Sequence, residues 1–131
     1  MMKMDRERHV EYWQTSSRED LDAARDLLER KHVRHGLFFL HLSVEKLLKG
    51  LIVGKTGELP PRSHDLLRLA ELAGLNPTSE QSGWLARLNR HCLEGRYPDT
   101  WVSPPDDAEA KKTLEKSIKG IEWLKRQSES G

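Results

Sequence analysis

The chain's chemistry is concentrated in a few charged and aromatic side chains set in otherwise apolar or proline-stiffened sequence. Glu45 and Lys49 stand one helical turn apart inside the most apolar run of the chain, Leu37 to Ile52, with the acid on the amino-terminal side that favours an ion pair. Either these charges line an exposed edge or they meet partners at an interface. The turn Arg96-Tyr97-Pro98-Asp99 is a second candidate. An arginine presented by a proline-stiffened loop reaches a phosphate or a carboxylate, and a neighbouring tyrosine ring stacks on a base. The same residues have a structural use, with Arg96 pairing with Glu45 or Asp99 and Tyr97 anchoring the loop.

The 6 histidines raise metal and acid–base chemistry. Glu29, His32 and His35 recur every three residues, but no second carboxylate or cysteine lies near them, so a solvated turn is the reading and no metal or cofactor is expected. His41 falls on the apolar side of its segment and is read as packing. His64, just before Asp65, is read as ordering a helix start through hydrogen bonds. Gly54-Lys55-Thr56 lacks the upstream glycine and the strand-to-helix context of a phosphate-binding loop, which removes that chemistry.

The elements that must position these residues are helices. Val10, Trp13, Ser17, Leu21, Ala24 and Leu28 recur at spacings of three and four, which predicts a first helix from about Asp5 to Arg30. Gly36 then permits a tight reversal, so the second helix should lie antiparallel to the first. Leu37, Leu40, Val44, Leu47, Leu48 and Leu51 form the stripe of that second helix, widened by Phe38, Phe39 and Leu42 until it should be buried on more than one side. Residues 53–62 carry two glycines and two prolines and read as a loop. Ser63 is a plausible cap for a short helix ended by Gly74, and Thr78 with Gln81 reads as a capping box opening a fourth helix that stops near Gly95. Asp106 or Asp107 opens the last helix, through Ala110, Leu114, Ile118, Ile121 and Leu124, and residues 128–131 should fray. The fold expected is all-α, an antiparallel up-and-down four-helix bundle with one additional short helix, in a single domain over residues 1–131.

Composition narrows the function. With 22 Lys+Arg against 21 Asp+Glu, no global field draws the chain to nucleic acid or an anionic membrane, so any such contact must be local. The single cysteine forbids an internal disulfide and suits a reducing cytoplasm. The first residues, Met1 to Arg8, have no apolar core of the kind an export signal needs, and no stretch approaches membrane-spanning length, so a soluble chain is expected. Surplus apolar residues on the second helix predict a homodimer that hides them.

Three landmarks in order, Phe39 to Lys49 with Glu45-Lys46-Leu47-Leu48-Lys49 at its centre, Ser63-His64-Asp65-Leu66, and Arg96-Tyr97-Pro98-Asp99, make almost the whole chain resemble HEPN domains. The resemblance implies a dimeric helical protein that binds a nucleotide or partners a minimal nucleotidyltransferase, often in a toxin–antitoxin arrangement. Its ligand-binding candidates here are Glu45, Lys49, His64, Arg96 and Tyr97. Many HEPN proteins are metal-independent ribonucleases with an arginine and a histidine four to six residues apart; the histidine takes the 2′-hydroxyl proton and the arginine holds the phosphate. Arg87 and His91 are the nearest equivalent, with three intervening residues, and no histidine follows Arg96. On a helix they still share a face, which keeps them as catalytic candidates for cleaving RNA. A structural interaction module is the remaining alternative.

Overall fold

The structure, a computed structural model, describes residues 3–94 and 105–129. Five helices account for them: α1 (Lys3–Glu29), α2 (Val33–Thr56), α3 (Leu66–Leu72), α4 (Ser79–Glu94) and α5 (Asp107–Glu129), with no strand among the described residues. The all-helical expectation therefore holds, with four long helices and one short one.

Helix α2 is the hub, packed against each of the other four. Its stripe fills the core, where Leu37, Leu40, Val44 and Leu48 are essentially inaccessible. Burying each such side chain contributes about 1.5–3 kcal/mol. Helices α1, α3, α4 and α5 of the same chain cover much of α2, while Phe38, Phe39 and Leu42, which widen its stripe, are only partly buried.

Helices α1 and α2 run antiparallel, as paired contacts show: Arg6 Nε donates to the Val53 carbonyl (3.2 Å), and Lys46 Nζ meets Asp20 Oδ2 (2.7 Å) and Ser16 Oγ (2.8 Å). At the centre, Ser17 Oγ donates to the Ser43 carbonyl (2.7 Å) and Ser43 Oγ to the Ser17 carbonyl (2.8 Å). Small hydroxyl residues let the two backbones approach and satisfy the groups they bury.

Several boundaries differ from the sequence expectation, each for a local reason. The reversal after α1 is made by Lys31 at φ 66°, while Gly36 lies inside α2. Gly36 serves close packing instead, since a Cβ there would stand 2.6 Å from the Leu28 side chain. Helix α2 continues past Ile52 to Thr56 because Val53 is fully buried, and it stops where Gly57 takes φ 73° and returns its N–H to the Val53 carbonyl. The cap of α3 is Asp65, whose side chain accepts from the Leu67 and Arg68 amides; Ser63 instead accepts from the Asp65 amide. The Thr78–Gln81 capping box forms as expected, with reciprocal bonds of 2.9 and 3.1 Å. Asp106 caps α5 through the Glu109 amide at 2.8 Å.

Candidate functional site

Three of the sequence candidates meet at one buried carboxylate. Glu45 lies in the middle of α2 with its side chain 5% exposed. Its Oε2 pairs with Lys49 Nζ at 3.1 Å, one turn on, and its Oε1 accepts from His64 Nδ1 at 2.9 Å. The helix supplies the first pair through i,i+4 spacing, and the loop before α3 supplies His64. A carboxylate removed from water needs such partners, because an unpaired buried charge is costly.

His41 holds the loop that carries His64. Its Nε2 donates to the His64 carbonyl at 3.0 Å, and its Nδ1 lies 3.8 Å from Glu45 Oε1. Asn89 of α4 steadies the same region: its Oδ1 accepts from the Leu66 amide (2.9 Å) and its Nδ2 donates to Asp65 Oδ1 (2.9 Å). With Nδ1–H of His64 directed at a carboxylate, the neutral ring keeps its lone pair on Nε2, and the His64 side chain is 47% exposed. His64 therefore joins a buried network to the surface.

Lys49 joins that network to a cavity of about 590 Å³ between the start of α1 and the loop from α2 to α3. Arg8, Tyr12 and Trp13 line it from α1, and Leu59, Pro60, Pro61 and Arg62 line it from the loop. The Lys49 ammonium also lies 5.7 Å from the centre of the Trp13 ring, within cation–π range. Tyr12 stands edge-on to Trp13 at 5.2 Å and is 60% exposed. Arg8 and Arg62 are exposed and form no ion pair among the described residues, so both cations are open to an anionic ligand. The wall thus offers positive charge and aromatic surface side by side.

Arg87 and His91 share a turn of α4, but their surroundings diverge. Arg87 is exposed and lines a groove between α4 and α5. His91 is partly buried, and burial first, then the positive fields of His41, Arg87 and Arg90, lowers its pKa from 6.5 to about 4. Such an imidazole is neutral at pH 7 yet a weak base, far from the near-neutral value that suits general base catalysis. Arg96 and Tyr97 lie outside the described residues, as does any contact between Arg96 and Glu45. Among the described residues no cluster of three or more histidine, cysteine, aspartate or glutamate side chains could hold a metal ion.

Sequence reasoning missed the α1 side of this site. Trp13 falls on the core stripe of α1 and reads as packing, while Arg8 and Tyr12 lie off that stripe and carry no pattern of their own. Their meeting with Arg62 depends on how the residue 57–65 loop folds back, for which the sequence carries no periodic signal.

The family model for the HEPN domain matches residues 10–127. The chain belongs to the HEPN family. Among solved structures, TT1696 from Thermus thermophilus has the same fold at 22% identity, with a TM-score of 0.76, over 90% of this chain and 97% of that one. ST0689, described as an archaeal HEPN homologue, matches at 23% identity and a TM-score of 0.73, over 91% and 97% of the two chains. At these identities the likeness establishes the fold. No curated protein matches. No described helix of this HEPN protein is long and apolar enough to cross a membrane.

Proposed function

We propose that this HEPN protein is a nucleotide-binding protein whose ligand occupies the cavity between the start of α1 and the α2–α3 loop. Phosphate oxygens face Arg8, Arg62 and Lys49, and the base stacks on Tyr12 beside Trp13. The observation that carries this reading is the convergence of three cationic side chains and two aromatic rings on one cavity, next to the Glu45–His64 pair. Equilibrium dialysis with labelled ATP tests it. Saturable binding is expected, weakened about tenfold or more in Tyr12→Ala, since a stacked base is worth about 1–3 kcal/mol. Absence of binding at millimolar ATP and GTP would overturn it.

Family membership supports the wider proposal that the protein acts in the cytoplasm as a homodimer beside a minimal nucleotidyltransferase, in a toxin–antitoxin-like pair. Sedimentation at micromolar concentration and co-purification with a nucleotidyltransferase encoded next to it test the two parts. A monomer that retains no such enzyme would contradict both. For the ribonuclease alternative, the decisive trial is metal-free RNA cleavage that is lost in His91→Ala. The low basicity of His91 weighs against that outcome.

A further inference from the structure

The groove between α4 and α5 lies apart from the Lys49 cavity and is larger, at about 1130 Å³. Its floor is fixed. The buried Trp84 ring packs directly against the backbone at Gly120, where a Cβ could not be accommodated, and its Nε1 donates to Ser117 Oγ at 2.8 Å. Ile118 and Trp123 are only partly buried and give the groove an apolar strip. Along its rims stand five cations, Arg87, Lys112, Lys116, Lys119 and Arg126, against the three carboxylates Glu80, Glu115 and Glu122. None of these eight makes an ion pair among the described residues. The groove therefore carries a net charge of +2 by that count (five minus three), more than the +1 of the entire chain.

Geometry and charge together select an occupant. From Lys112 to Arg126 the rim runs along about four turns of α5, about 21 Å at 1.5 Å per residue, the length of a helix of similar size. Nucleic acid would lay phosphates along that whole length and meet Glu115 and Glu122, which lie between the cations. A helix presents side chains at discrete intervals, so an apolar stripe can cover Trp123 and Ile118 while acidic flanks meet the lysines. We propose that this groove is a docking site for an amphipathic helix of a partner protein, apolar on one face and acid-rich along its flanks. Arg87 belongs to this surface. The proposal is independent of nucleotide binding.

A synthetic amphipathic helical peptide of about 14 residues, with leucine on one face and glutamate on its flanks, is titrated by calorimetry into the full chain. The control is the same peptide with lysine in place of glutamate, and a single-stranded RNA of comparable length is run in parallel. The expected result is saturable binding of the glutamate peptide, weakened at least tenfold by Lys116→Glu/Lys119→Glu and by raised salt, with no binding of the lysine peptide. Both substituted positions are exposed, and circular dichroism confirms that the variant is folded. The proposal is overturned by no binding of the glutamate peptide at millimolar concentration, by equal affinity for the two peptides, or by indifference to the charge reversal. Tighter, equally lysine-dependent binding of the RNA would reassign the groove to nucleic acid and overturn it as well.

Discussion

Replacing Glu45 by glutamine tests whether the buried network holds the fold together around the site. The side chains of Glu45 and Lys49 are 5% and 8% exposed, so the pair is essentially out of water. Glutamine keeps the shape but removes the charge, leaving the Lys49 ammonium without its counter-ion and His64 Nδ1–H with a weaker acceptor. Removing one partner of a buried pair typically costs about 3–5 kcal/mol; glutamine retains one acceptor oxygen, which places the expected loss near the lower end, about 3 kcal/mol. For a domain of this size each kcal/mol moves the melting temperature by roughly 3–5 °C, so a fall of roughly 9–15 °C is expected. The companion Glu45→Gln/Lys49→Met removes both charges and should recover at least half of the loss, because no unpaired charge is then left in the interior. Urea denaturation of the single and double variants measures both numbers. A single-variant loss under about 1 kcal/mol, or a double variant no more stable than the single one, would refute the assignment of Glu45 as the buried counter-ion of Lys49.

Other perturbations probe separate parts of the molecule. His91 has its folded pKa lowered from 6.5 to about 4, so the unfolded chain binds the proton more readily; stability is full above about pH 6.5 and falls as pH drops toward 4. Discounted for partial exposure, that contribution is roughly 2–3 kcal/mol, and His91→Gln should flatten this part of the pH–stability curve measured in urea. Gly120→Ala forces a methyl group into the Trp84 ring, which Ser117 holds in place, and should destabilise by about 1–3 kcal/mol; a neutral effect would show that α5 slides freely on α4. Asp65→Ala removes the acceptor of the Leu67 and Arg68 amides and of Asn89 Nδ2, so a loss of about 1–2 kcal/mol is expected, together with faster amide exchange in α3.

The fold was legible because its signals are periodic. The α1 and α5 stripes, the Thr78–Gln81 box and the Asp106 cap are local patterns that need no knowledge of tertiary neighbours. Where packing decides, local reading fell short. Gly36 resembles a turn residue until Leu28 is seen beside it, and Val53 resembles the start of a loop until its burial extends α2 by a turn. The site was half legible for the same reason. Glu45 and Lys49 are related by one helical turn, a distance that the sequence contains. The bond from His64 to Glu45 and the approach of Arg8, Tyr12 and Arg62 are set by a loop without periodicity. His91 shows the converse: its spacing from Arg87 is visible in the sequence, but the burial that lowers its basicity is not.

The most direct test of the central claim is a crystal structure of the protein grown with ATP. Phosphate oxygens are expected within hydrogen-bonding distance of Arg62 and Arg8, with the adenine stacked on Tyr12 and the Glu45–His64 bond intact behind Lys49. Nucleotide bound elsewhere, with the cavity between α1 and the α2–α3 loop unoccupied, would contradict nucleotide binding at this site.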